Sequence, residues 1–179
     1  MDQLVSDLCD LRLGITKNIN ISPYILKDNF FHCSAIIREK KRNVFYVVSI
    51  GQNKYVNRTI STSRVASKHA EEAAIDNLPP LKRSNRPMNV NLVVIKTTKT
   101  KILGNSSPCI HCLKIMKEKA VLKGYNIIKI YYSNSNGVIV CRRLNDLIIS
   151  DYLYISSYYK LTNYNVEKWL KWRQTLNIC

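Results

Sequence analysis

The sequence predicts an α/β fold: a sheet of five strands with helices packed against it. Three observations lead there. Strand-like runs at 31–37 and 44–50, joined by the turn Lys40-Lys41-Arg42-Asn43, read as a hairpin. Helical segments over roughly 67–78 and from Pro108 to near Gly124 alternate with strand-like runs at 90–95 and 127–132. The last run, Val138 to Arg142, follows its neighbour after only Ser133-Asn134-Ser135-Asn136-Gly137. That link is too short for a helix, so the final two strands must be antiparallel.

Each element has its own reason. Leu4, Leu8 and Leu11 stand at helical spacing in residues 3–13, and Ser22-Pro23 marks a short turn. Phe31 to Ile37 has the apolar content of a buried strand; Val44 to Ile50 is its partner, closed by Gly51-Gln52-Asn53. Residues 57–68, rich in Ser, Thr and Arg, suit a loop. In the next helix the small residues Ala70, Ala73 and Ala74 allow close approach to a sheet, and Pro79-Pro80 stops it. Pro108 falls in the first turn of the helix after that. Cys109 and Cys112, three apart, then share one face, where the positive end of the helix dipole favours thiolates. The tail, 151–179, holds five tyrosines before position 165 and then a helix with Trp169 and Trp172, a pair that caps a core or stacks on bases.

The 179 residues suit one domain and show no repeat or linker. They divide into an N-terminal helical segment (1–29), a core (30–145) and a Tyr/Trp-rich extension of the same domain (146–179). The net charge is +16. Between Asn77 and Lys117 stand eight basic residues and no acid; from Lys40 to Ala70 there are seven more, again without an acid. Such a surface attracts a polyanion or a phosphorylated substrate, although an AT-rich genome yields the same Lys, Asn, Ile and Tyr content. Of six cysteines only one pair has ligand spacing, which points to a reducing compartment; Cys33 and Cys141 read as buried thiols. No apolar signal core or membrane-length run is present, so a soluble, intracellular, cytoplasmic protein is expected.

The chemistry lies in His69-Ala70-Glu71 and Pro108-Cys109-Ile110-His111-Cys112. Together they read H-x-E…P-C-x-x-C, which resembles the signature of zinc-dependent nucleobase deaminases. A catalytic zinc takes three protein ligands and keeps a fourth position for water, whose pKa falls from about 15.7 to roughly 7. His69, Cys109 and Cys112 supply the three, and Glu71 would move protons without binding the metal. His111 reads as pointing to solvent and Glu72 as a surface helix charge. A structural zinc site, or a metal site without activity, are the competing readings.

With these motifs set among the strands, residues 30–145 resemble the cytidine deaminase-like superfamily. The resemblance implies a three-layer α-β-α arrangement around a five-stranded mixed sheet, a Zn2+ cofactor, and the ligand and proton-shuttle roles just given. It also implies that Asn53, in Gly51-Gln52-Asn53, holds the sugar, and that the small pair Ser34-Ala35 lets the base approach the metal. Ser107, before Pro108, is typical of cytosine-acting members; tRNA adenosine and guanine deaminases carry glutamate there. The short last hairpin resembles that of free-nucleoside deaminases. Asn53-Lys54-Tyr55-Val56-Asn57 lacks the glutamate that nucleoside deaminases place between two asparagines. The function implied is hydrolytic deamination of cytosine to uracil in a nucleoside or nucleotide. The alternatives are cytosine in single-stranded RNA or DNA, and an inactive zinc-stabilised nucleic-acid-binding module. Partners implied are the nucleoside or nucleotide and nucleic acid on the basic rim, but no membrane, with homo-oligomerisation left open.

Overall fold

The computed structural model describes residues 30–41, 44–56, 66–81, 86–98, 102–151, 154–156 and 166–176. Along the chain run β1 (Phe30–Lys41), β2 (Val44–Gln52), β3 (Lys54–Val56), β4 (Ala66–Lys68), α1 (Ala70–Asp76) and β5 (Met88–Thr98). Then follow β6 (Leu103–Gly104), α2 (Ile110–Leu122), β7 (Tyr125–Ser133), β8 (Ile139–Arg143), α3 (Leu144–Ile149) and α4 (Val166–Thr175). The main sheet is open and mixed, in the order β2-β1-β5-β7-β8, with β6 pairing on β5. Among the described strands only β5–β7 is parallel; the final pair, β7–β8, is antiparallel, as the short link between them requires.

Strand alternation gives the sheet two apolar faces. In the β1–β5 ladder, His32 is opposite Lys96, Ser34 opposite Val94 and Ile36 opposite Leu92; Cys33 is opposite Ile95 and Ala35 opposite Val93. Ile36, Leu92 and Val94 pack with Ala74 and Ile75 of α1, Ile110 and Met116 of α2, Ile148 of α3 and Trp169 of α4. Ala35, Ile37, Val93, Ile95 and Tyr131 form a second cluster on the other face. All four described helices therefore cover one face, and among the described residues the other face carries no helix.

Several boundaries differ from expectation. The first helix is shorter than 67–78 because Ala66–Lys68 extends as β4 to pair with β3, which also removes the end of the loop expected over 57–68. Pro108 lies one residue before the N-cap Cys109 rather than inside the first turn. α3, directly after β8, was not foreseen. Gly124, with φ of 89°, lets the chain leave α2 as expected. The expected helix at 3–13, the turn at 22–23 and residues 57–65 lie outside the described residues.

α1 lies very close to β2, as its small residues foretold. Ala70 and Ala74 are fully buried, and the Ser49 hydroxyl donates to the Ala74 carbonyl at 2.8 Å. A Cβ at Gly51 would fall 2.2 Å from the Ala70 carbonyl oxygen and 2.8 Å from the Ala73 carbonyl carbon. These are backbone atoms that cannot swing aside. Gly51→Ala is therefore expected to destabilise by at least ~2 kcal/mol in urea unfolding. Gly104→Ala, where the nearest atoms lie at 3.7 Å, should stay within about 0.5 kcal/mol.

Candidate metal centre

Two helix starts converge here, each preceded by a residue in extended conformation. His69 is the N-cap of α1 and Cys109 the N-cap of α2. Asn53 fixes the first: its backbone N–H donates to the His32 carbonyl at 3.2 Å, and its Oδ1 accepts the Ala70 N–H at 2.7 Å. A pair of buried serines fixes the second. The Ser106 hydroxyl donates to the Val94 carbonyl at 2.8 Å and accepts the Ser133 N–H at 2.8 Å. The Ser106 N–H donates to the Ser133 carbonyl at 2.8 Å, so the loop before Cys109 is held to the ends of β5 and β7.

The result is a cluster of three donors. His69 Nδ1 lies 3.1 Å from Cys112 Sγ and 3.5 Å from Cys109 Sγ, and all three donor atoms lie within 4.8 Å of one another. Zinc–sulfur and zinc–nitrogen bonds of ~2.3 and ~2.0 Å in a tetrahedron set nitrogen and sulfur ~3.5 Å apart. His69, Cys109 and Cys112 are thus close enough to bind a metal ion, and their spacing and donor types agree with zinc. The hydrogen bond from Cys112 holds the Cys109 thiol well below its ordinary range, despite burial, with His69 adding to the effect. Burial and that same bond push Cys112 well above. Burial alone would lower His69, but the hydrogen bond and charge of Cys109, with Glu71 and Glu72 nearby, leave it raised.

Glu71 sits beside this cluster, only 1% exposed. Its Oε2 has no hydrogen-bond partner, and burial pushes the carboxyl up to about 7. On the outer side, Glu72 and Asp76 of α1 meet α2. Lys119 Nζ is 2.9 Å from Glu72 and 3.8 Å from Asp76, and His111 Nε2 is 3.9 Å from Glu72. The His111 ring and the Lys119 ammonium beside it hold the Glu72 carboxyl down to about 2. Glu72 and His111 are therefore paired across the two helices, rather than a bare surface charge and a solvent-facing ring.

A cavity of about 210 Å³ opens on the centre, with His69, Glu71 and Cys109 in its wall. Asn53 and Ser107 line it as well. Ala35 does not: 6% exposed, it packs with Ile37, Val93, Ile95 and Tyr131 on the opposite face of the sheet. Ser34, the other half of that small pair, is on the helix-covered face and buried. Six lining residues had not been singled out: His32, Lys96, Asn105, Ser106, Tyr154 and Ser156. Period-two alternation from Ser34 would have found His32, and the ladder then leads to Lys96. Nothing in the sequence signals Tyr154 or Ser156.

No family model, curated protein or solved structure matches this chain. No helix among the described residues is long and apolar enough to cross a membrane.

Purified protein should hold about one zinc per chain by elemental analysis. Cys109→Ser and Cys112→Ser should each lose most of it and lower the melting temperature, because ligand binding and helix docking are coupled. A full complement in the double variant would show that the metal sits elsewhere.

Proposed function

We propose that the chain is a zinc-dependent hydrolytic deaminase of the cytidine deaminase-like superfamily, converting cytosine to uracil in a nucleoside or nucleotide. That membership carries with it a three-layer arrangement, of which the described residues supply the sheet and one helical layer. The observation that carries the reading is the buried Glu71 carboxyl, with an unpaired oxygen, beside three metal donors at the wall of a small polar cavity. A purely structural zinc would take a fourth protein ligand. Among the described residues the donor cluster has three.

Zinc, when bound, supplies a water acidic enough to ionise near neutral pH. His69, Cys109 and Cys112 would hold the ion, and Glu71 would take a proton from the attacking water and give it to ring N3 as C4 gains the water oxygen. A second proton then passes through Glu71 to the exocyclic amine. The C4–N4 bond breaks, its electron pair leaves with ammonia, and C4 keeps the oxygen as the uracil carbonyl. A carboxyl pushed up to about 7 in the metal-free protein is suited to both directions of transfer. The cavity, smaller than the 300–1,000 Å³ common for drug-sized ligands, suits one ring at a time.

Glu71→Gln should keep zinc and fold while losing ammonia release by at least ~100-fold. The substrates to test are cytidine, deoxycytidine, their monophosphates and single-stranded oligonucleotides. Turnover equal to the unaltered protein would make Glu71 a bystander and end the mechanism.

The charge of +16 supports a second reading, cytosine within a single strand. The two differ in salt dependence. Neutralising ~6 phosphates of a single strand gives a slope of log affinity against log salt near −4, whereas a one-phosphate substrate gives no steeper than roughly −1. The shallow slope is expected. Steep oligonucleotide binding, with no turnover of any mononucleoside or mononucleotide, would favour the polymer.

A further inference from the structure

The cavity has walls that the proposed chemistry does not use. His32 of β1 forms one. Another is the short segment Tyr154 to Ser156, which belongs to the C-terminal extension and lies outside the region carrying the motifs. This segment is fastened at the metal centre itself: the N–H of Ile110, the residue after Cys109, donates to the Tyr154 carbonyl at 2.9 Å. Ser156 is only 9% exposed and its hydroxyl has no hydrogen-bond partner; His32 Nε2 is likewise buried and unpartnered. Buried polar atoms are nearly always paired. Two that are not, on residues from separate parts of the chain lining one cavity, are groups held ready for a ligand.

We propose that Ser156 and His32 hold the base edge of the substrate, making the Tyr154–Ser156 segment the specificity wall of this pocket. The ligand class follows from the two groups. A hydroxyl both donates and accepts, and a neutral imidazole carries one donor and one acceptor. Burial, with the charges of His69 and Lys96 adding to it, holds the His32 ring down at about 3, so it is uncharged at neutral pH. Two neutral groups that each donate and accept match the ring carbonyl and exocyclic amine of an uncharged heterocycle, not a phosphate. The assignment rests on reading this pocket as a nucleobase site, and the test separates the two.

The variants are Ser156→Ala, Ser156→Cys, His32→Leu and His32→Gln, each checked for zinc content and melting temperature. Binding of cytidine and of cytidine 5′-monophosphate is measured by calorimetry on the Glu71→Gln holoprotein carrying each change. Steady-state kinetics are measured with Glu71 intact. Ser156→Ala and His32→Leu should weaken binding of both compounds by about 5- to 10-fold, the loss of one neutral hydrogen bond. KM should rise in step and kcat change less than about twofold, with His32→Gln recovering part of the loss. Unchanged affinity in both variants, or a loss confined to the monophosphate, would overturn the base-edge assignment and leave the deaminase reading standing. Weakened binding with no ammonia from any variant or from the unaltered protein would support the assignment and remove the reaction. Failure of the unaltered holoprotein to bind either compound would end both.

Discussion

The depth at which α1 sinks onto β2 is the constraint on which the metal centre depends. Gly51 admits the backbone of α1 where any side chain would meet the carbonyl of Ala70, and Ala70 and Ala74 bring no bulk of their own. Only a helix that close delivers His69 Nδ1 to within 3.5 Å of both cysteine sulfurs. Lys119, His111, Glu72 and Asp76 then link α1 to α2 on the outer side. Half-exposed ion pairs of this kind contribute little, ~0–1 kcal/mol each. Apolar packing therefore sets the distance between the helices.

Within that frame the electrostatics are those of a site prepared for a cation. Cys109 interacts with both His69 and Cys112, with one thiol driven down and its neighbour up. A metal replaces the remaining protons, so its affinity should rise with pH as ligands deprotonate. Glu71 belongs to the same logic. A carboxyl at 1% exposure with one unpaired oxygen opposes folding, and groups of that kind concentrate where chemistry needs them.

The strands and the donor set were legible because their signals are local. Short apolar runs gave β1, β2, β5 and β7, and a five-residue link forced β8 antiparallel. Helix ends were less legible because pairing overrode local preference: Ala66–Lys68 joined a ladder, and His69 took the extended conformation of an N-cap. The reading of Ser34-Ala35 as a single unit failed on parity. Neighbours on a strand face opposite ways, so one of the two had to lie away from the helices, and it was Ala35. The aromatic tail could not be placed from composition, because Trp169 and Trp172 suit a core as well as a stacking surface. Trp169, 1% exposed, is core; Trp172 stacks on it at 4.7 Å between ring centroids and donates from Nε1 to Glu118 at 2.7 Å.

That placement changes the standing of residues 146–179. Ile148 and Trp169 join the same cluster as Ile110 and Met116 of α2, so the extension is held by the packing that holds the Cys109–Cys112 helix. Between those two anchors, Tyr154 accepts the first N–H of α2, and Ser156 reaches the cavity. The metal donors and Glu71 come from one part of the chain and the wall at Tyr154 and Ser156 from another. Substitutions in that wall can therefore reshape the pocket without altering His69, Cys109, Cys112 or Glu71.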